Sequence, residues 1–284
     1  MLFRSKPHSF GFAFNPTNPD AESILQRALA WCAEHDVEAW SSPAADGPQI
    51  AGHAAGSNLI CVLGGDGTFL HAARGIGDSG VPTLGVNLGR VGFLAKVETD
   101  DLERGLEQVA SGEFTIEDRF RIAATLVRRS GEREEHACLN EVVVARGTRV
   151  RMIQVEVEVS GSHLATWVAD GVVVATPTGS TAYSFSAGGS VLDPRLRNMI
   201  ITPVAAYLSP LRSVVAGEDH VVRLALRQAP SGATISIDGQ WDLPMEAGET
   251  VEVRALPAPL RMVQLSGSTP FYDLLRTKAS LLPY

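Results

Sequence analysis

Two segments combine small residues with groups able to do chemistry. The first is Gly64-Gly65-Asp66-Gly67-Thr68, placed directly after the apolar run Leu59–Leu63. A Gly-rich turn between a strand and a helix gathers N–H groups that can cradle a phosphate. Asp66 is the odd member, because a carboxylate repels phosphate. It needs a positive partner such as Mg²⁺ or a proton to accept, which makes it a candidate general base or metal-orienting group. A tight turn with a capping Asp reads from the same letters. The second segment is Asp170-Gly171, the apolar run Val172–Ala175, then Thr176-Pro177-Thr178-Gly179-Ser180-Thr181-Ala182-Tyr183, with Ser184, Ser186, Gly188 and Gly189 following. Many hydroxyl donors with little bulk suit a sugar–phosphate ligand, and Tyr183 can stack on a base or hydrogen-bond it. A Ser/Thr-rich surface loop is the plain alternative. Asn140-Glu141 ahead of Val142–Val144 is a weaker signal: a carboxylate accepts two hydrogen bonds from a ribose diol.

Other chemistries lack their motifs. Gly75-Ile76-Gly77-Asp78-Ser79-Gly80 matches a dinucleotide fingerprint, but it precedes the run Val81–Val86 instead of following a strand, so it reads as a helix-ending loop. There is no G-x-x-x-x-G-K-[ST] segment and no G-x-S-x-G elbow. The seven histidines show no metal-ligand spacing, and no residue is assigned as a protein ligand to a metal.

The elements that must position these residues come in two styles. Ser9–Phe14, Leu59–Leu63 and Val81–Val86 read as buried strands. Helices fit between them from about Ala21, with Asp20 as cap, and near Phe69–Arg74. Another carries Leu102, Leu106 and Val109, with Asp100 and Glu103 as capping pair and Gly112 as its end. Ser41–Ser57 reads as a loose segment. Strands alternating with helices predict a doubly wound parallel sheet. From about Arg121 the pattern turns to period two, in Val155/Val157/Val159, Val222/Leu224/Leu226, Thr234–Ile237 and Val251–Arg254, which predicts an antiparallel β-rich domain. Phe271, Leu274 and Leu275 at helical spacing predict a last helix. The expected domains are 1–120 (α/β), 121–260 (β-rich) and 261–284, packing back on the first.

Composition bounds the partners. At 284 residues, 45% hydrophobic and 20% charged, the chain is ordinary globular protein. A net charge of −8 disfavours nucleic acid. No apolar run is long enough to span a bilayer, no signal-peptide core follows Met1–Pro7, and Cys32, Cys61 and Cys138 fit reduced thiols, so a cytoplasmic protein without membrane or nucleic-acid partners is expected.

Taken in order, Gly64–Thr68, Gly85-Val86-Asn87-Leu88-Gly89-Arg90-Val91-Gly92-Phe93-Leu94, Asn140-Glu141, Asp170–Tyr183 with Ser186–Gly189, Asp238-Gly239-Gln240 and the tail Phe271–Lys278 resemble the NAD kinase family. The Gly-Gly-Asp-Gly-Thr run is shared with lipid kinases and phosphofructokinases; the Thr-Pro-Thr-Gly-Ser-Thr-Ala-Tyr run after Asp-Gly is far more specific. The resemblance implies a Rossmann-like N-terminal domain followed by a β-rich, sandwich-like C-terminal domain, with the NAD site between them, and a homodimer or homotetramer. It implies phosphorylation of the adenosine 2′-hydroxyl of NAD to NADP, using ATP or polyphosphate with Mg²⁺ or another divalent metal. Asp66 would be the base, with Gly67 beside it at the ligand. Asn140 and Glu141 would bind adenosine, and Asp170 the nicotinamide end. Thr181, Ala182, Tyr183 and Ser184 would line the dinucleotide site. His71, Arg151 and Gln240 fall where the family has further ligand contacts. Three positions depart from the family pattern: His71 where Arg is frequent, Ser190 in place of Pro, and Ala206-Tyr207 where Pro-His is expected. A lipid or sugar kinase of the same superfamily and a non-catalytic NAD(P)-binding sensor are the competing readings.

Overall fold

The structure, a computed structural model, describes residues 8–89, 92–149 and 151–280. Arg90 and Val91 of the Gly85–Leu94 motif lie outside them, as do Met1–Pro7. The chain divides into two compact units: residues up to 118 together with those from 260 onward, and Arg119–Pro259.

In chain order the first unit contains β1 (Ser9–Phe14), α1 (Ala21–Glu34), β2 (Glu38–Pro43), α2 (Gly47–Ala54), β3 (Leu59–Leu63), α3 (Asp66–Ile76), β4 (Thr83–Asn87), β5 (Val97–Glu98), α4 (Leu102–Ser111) and β6 (Phe114–Arg119). The second contains β7 (Ile122–Val127), β8 (Arg133–Cys138), β9 (Glu141–Arg146), β10 (Ile153–Val159), β11 (Ser162–Ala169), β12 (Gly171–Ala175), the short α5 (Tyr183–Ser186), β13 (Asn198–Val204), β14 (Val214–Gly217), β15 (Val222–Gln228), β16 (Ala233–Ile237), β17 (Trp241–Met245) and β18 (Thr250–Ala255). The chain then returns to the first unit with β19 (Leu260–Leu265) and α6 (Phe271–Ser280).

The first unit is a sheet in the order β2-β1-β3-β4-β19-β6, with β5 added beside β4. Strands β1 to β4 run parallel. β3 and β4 are buried along their whole length, because helices cover both faces; β3 is an unbroken apolar run, whereas β4 buries Thr83 and Asn87 at its ends. Phe10, Phe12, Leu59, Cys61, Leu63, Leu84 and Val86 form the core with Ile24, Leu25 and Ala28 of α1 and Leu102, Leu106 and Val109 of α4. Because β2 lies on one side of β1 and β3 on the other, the sheet reverses its winding between β1 and β3. The turns leaving those two strands therefore flank the crevice where doubly wound sheets bind ligands.

The second unit is two antiparallel sheets, β11-β10-β15-β18-β7-β8 and β14-β13-β12-β9-β16-β17. Val155, Val157, Leu224, Val251 and Leu126 of the first meet Val142, Val144, Val172, Val174 and Ile235 of the second in one core. This is the inward half of the period-two pattern. The expected fold class, Rossmann-like α/β followed by a β-sandwich, is the observed one. Among the described residues no helix is long and apolar enough to cross a membrane.

Three local expectations are corrected. Ser41–Ser57 is not loose: it holds the end of β2 and all of α2. Asp46 caps α2 by accepting from Gln49 N, and Pro48 sits in the first turn, where its missing N–H costs nothing. Asp100 and Glu103 do not cap α4. Asp101 occupies that position without a side-chain bond, and Glu103 instead takes a bidentate pair from Arg27 of α1 at 2.8 and 2.7 Å. Asp20 precedes α1 but its side chain makes no cap bond.

Gly85 at the middle of β4 decides how closely the chain after the motif can approach. A Cβ there would lie 2.7 Å from both Ala95 Cα and Leu94 O, which are backbone atoms that cannot swing aside. Gly85→Ala should destabilise the protein by about 1–3 kcal/mol, read as a lower urea midpoint in tryptophan fluorescence; an unchanged midpoint would show that the 94–95 segment yields freely.

Candidate active site

In the first unit β3 ends at Leu63 and α3 begins at Asp66, so the Gly-rich turn is the strand-to-helix junction. Gly64 leaves no room for a side chain, since a Cβ would lie 2.4 Å from Thr68 Oγ1. Asp66 is half-buried and its carboxylate is engaged: Oδ2 accepts from Phe93 N at 2.8 Å, and Oδ1 from Leu94 N at 3.0 Å and Ala95 N at 3.2 Å. Three of its roughly four acceptor positions are used, and one remains. Gly67 is exposed in the first turn of α3, and His71 lies one turn on along the same face, i to i+4. Burial, then the charge of Arg74, holds His71 below the usual imidazole range. The ring of Phe93 is itself gripped from α6, by Phe271 at 5.9 Å and by the ammonium of Lys278 at 5.1 Å. Asn87, Leu88 and Gly89 of the downstream motif line a hollow of about 390 Å³ with Asp20, Ser23 and Ile24 at the start of α1.

In the second unit the starts and ends of three neighbouring strands meet. Glu141 at the start of β9 faces Ala175 at the end of β12, and Val142 faces Ile237 at the end of β16. Asn140 and Glu141 are 9% and 7% exposed. Their side-chain atoms Asn140 Oδ1 and Glu141 Oε2 are buried and accept no hydrogen bond. The loop after β12 packs on them: Thr176 N donates to Asn140 O at 2.8 Å, and Thr176 Oγ1 donates to Leu139 O at 2.6 Å. That loop carries Thr181 and Ala182, half-exposed, and Tyr183, exposed at 44%. Ser184 is fully buried and its hydroxyl meets Thr202 Oγ1 at 3.3 Å, so it supports the turn from inside instead of facing outward. Gln240 lies in the β16–β17 turn, its N–H donating to Ile237 O.

Asp170 and Arg151 are not in this group. Asp170 precedes β12, at the end opposite Thr176, and five residues of strand put roughly 15 Å between the two ends. There Asp170 accepts from Arg146 Nε at 2.7 Å, and Arg146 also donates to Arg149 O. Arg151 follows on the exposed surface.

Sequence reasoning gave Asp238 no role of its own, yet it organises the turn ahead of β9. It is buried and accepts from Cys138 Sγ, Leu139 N, Asn140 N and Glu141 N at 2.7–3.1 Å. Two buried carboxyls, Asp238 and Glu141, thus sit side by side. Burial raises Asp238 above the ordinary carboxylate range, opposed by its hydrogen bonds from Cys138, Leu139, Asn140 and Glu141. Glu141 is pushed up to about 8, by burial first and by Asp238 second. Asp-Gly before a strand was the available signal for a hairpin turn; the donors, about a hundred residues earlier, were not visible. No cluster of three acidic, His or Cys side chains able to hold a metal occurs among the described residues.

A doubly wound unit with a Gly-rich turn at its switch point, joined to a sandwich that buries unpartnered acceptors beside a hydroxyl-rich loop, defines a nucleotide-handling phosphotransferase. Residues 21–114 match the ATP-NAD kinase N-terminal domain and residues 139–265 the ATP-NAD kinase C-terminal domain. An NAD kinase of Heliobacterium modesticaldum is 38% identical over 278 residues, 94% of this chain and 97% of that one. One from Magnetococcus marinus is 40% identical over 223 residues, 78% and 73% of the two chains. The chain belongs to the NAD kinase family. The fold agrees with the crystal structures of yeast NADH kinase complexed with NADH (TM-score 0.83, 21% identity, 98% of this chain and 88% of that one) and of an NAD kinase from Archaeoglobus fulgidus in complex with ATP (TM-score 0.78, 24% identity, 96% and 100%).

Glu141 makes stability depend on pH. Its folded value, about 8, lies above the ordinary 4.5. Its contribution is therefore complete below the unfolded value and is lost as pH rises through about 8. The ligand-free protein should melt earlier at pH 9 than at pH 6.5, and Glu141→Gln should lessen that difference. Identical pH slopes in differential scanning calorimetry would mean that Glu141 is already ionised in the fold.

Proposed function

We propose that the protein phosphorylates the adenosine 2′-hydroxyl of NAD to give NADP, with ATP or polyphosphate as donor. The observation that carries this reading is the pair of buried acceptors, Asn140 Oδ1 and Glu141 Oε2, held without partners beside the Thr176–Ser184 loop in a chain of this family. A ribose diol supplies the hydrogen bonds they lack. Tyr183 offers an exposed ring for the base, and Thr181, Ala182 and Gln240 extend the same surface.

The reaction is an in-line displacement. The 2′-oxygen bonds to the terminal phosphorus, the bond from that phosphorus to the donor's bridging oxygen breaks, and the hydroxyl proton leaves to a base. Asp66 takes the base role through its remaining acceptor position, while the amides of residues 93–95 hold the carboxylate still. The first turn of α3, with Gly67 and His71 on one face, suits the donor phosphates. A divalent metal would enter on those phosphates, leaving the open position of Asp66 to the hydroxyl proton. Such a metal would supply charge neutralisation of the donor. Asp170, at the far end of β12, serves the nicotinamide half, and Arg151 is a further ligand contact. The protein works in the cytoplasm as a homo-oligomer; the exposed Tyr207, Leu208 and Val215 support self-association.

Asp66→Asn should lower turnover by about 10²–10⁴-fold with little change in the KM for NAD. Because the same carboxylate also anchors three amides, melting temperature is followed alongside; a fall in stability with turnover intact would leave Asp66 a structural role only. The class of enzyme is tested by product: 2′-deoxyadenosine NAD should bind and yield no phosphorylated product, and NAD should carry the new phosphate at the adenosine 2′ position by phosphorus NMR. Phosphate on another hydroxyl, or on a lipid or sugar, overturns the reading.

A further inference from the structure

We infer that Asp238 is a positioning residue for nucleotide binding: its carboxylate folds the Cys138–Glu141 turn into the one shape that leaves the Asn140 and Glu141 side-chain oxygens open to a ribose diol. The inference rests on the reading of those two residues as adenosine-ribose contacts.

The buried carboxylate of Asp238 accepts from four donors. Oδ1 takes Cys138 Sγ at 2.9 Å, Asn140 N at 2.7 Å and Glu141 N at 3.1 Å, and Oδ2 takes Leu139 N at 2.9 Å. Oδ1 carries three of the four donors and Oδ2 one, and the carboxylate is buried, so Asp238 is spent on the turn ahead of β9. The side chains of Asn140 and Glu141 are the reverse, each with a buried acceptor that nothing among the described residues serves. Such an arrangement persists only where the surroundings enforce it. The enforcement comes from two sides. Asp238 binds the N–H groups of residues 139–141, and Thr176 binds the carbonyls of Leu139 and Asn140 at 2.6 and 2.8 Å. With both edges of these peptide planes fixed, the turn cannot rotate to satisfy its own side chains.

The placement of Asp238 follows from the hairpin. Asp238 and Gly239 have φ of +52° and +63°, and Gln240 N donates to Ile237 O at 3.0 Å, which is a type I′ turn between β16 and β17. Asn adopts this left-handed geometry as readily as Asp. The turn alone therefore does not call for a carboxylate; the four donors do. This separates backbone shape from hydrogen bonding in a single substitution.

Asp238→Asn keeps the turn and replaces one acceptor oxygen with an NH₂ facing N–H donors. The KM for NAD should rise by roughly tenfold or more, while kcat stays within about threefold and the KM for ATP is unchanged. Cys138→Val, which removes one donor from Asp238, should raise the KM for NAD by about threefold, and Cys138→Ser, which restores a donor, should recover most of that loss. If both Asp238→Asn and Cys138→Val keep the wild-type KM for NAD, the positioning role is wrong. It is equally wrong if kcat and both KM values deteriorate together in step with the folded fraction measured by calorimetry. Should Asp238→Asn not fold, the Val and Ser variants at Cys138 decide the matter by the same split. Asn140→Ala and Glu141→Ala distinguish the two layers: a wild-type KM for NAD in both overturns the ribose reading itself, whereas a raised KM there with none in Asp238→Asn overturns the positioning role alone.

Discussion

Three consecutive backbone N–H groups converge on one carboxylate twice in this chain, residues 93–95 on Asp66 and residues 139–141 on Asp238. Hydrogen bonds to an ionised acceptor are roughly twice as strong as neutral ones, and three in a row fix successive peptide planes without help from a regular ladder. This is what a binding segment made of small residues lacks by composition. Glycine, serine and threonine give close approach and donors but leave the backbone many shapes. In the first unit the carboxylate ties the chain following β4 to the first residue of α3. In the second it ties the β16–β17 turn to the entrance of β9.

The two carboxylates differ in what they have left. Asp238 is buried and takes four donors, all from residues 138–141. Asp66 is half-buried and retains one acceptor position. The same device thus serves twice, once to hold neighbouring side chains open and once to hold the carboxylate itself in place with capacity to spare. Glu141 is the residue in tension. It is buried, it lies beside the charge of Asp238, and its outer oxygen has no donor. Local stability is given up there, as expected where a site is kept ready for a ligand and not relaxed around its absence.

Much of the architecture was legible because burial imposes pattern. β3, covered on both faces, reads as an apolar run, and β10 and β15 as strict alternation. α2 was not legible, because Gly47 and Pro48 are loop letters in isolation and a helix start in context. Glu103 misled for a related reason: three residues from Asp100 it resembles a cap, but its partner Arg27 lies on another helix. At the site the residue types could be read and their partners could not. Asp66 stands out among glycines, whereas the amides it holds come 27 to 29 residues later. Asp170 and Thr176 look adjacent in sequence, yet a strand points them to opposite ends of a sheet. Asp238 carried almost no signal, since an Asp-Gly in a hairpin is explained by the turn alone.

The position of β19 sets an order of events during synthesis. This strand, Leu260–Leu265, stands between β4 and β6, so the first unit lacks an interior strand until residue 265 has left the ribosome. The second unit is contained in Arg119–Pro259 and is complete before then. The later-encoded unit therefore closes first, while the N-terminal half of the sheet waits with the β4 edge near Thr83 unpaired. Holding that edge open makes the nascent chain dependent on β19, and a polypeptide released before Leu260 presents a sticky sheet margin near Thr83 without it.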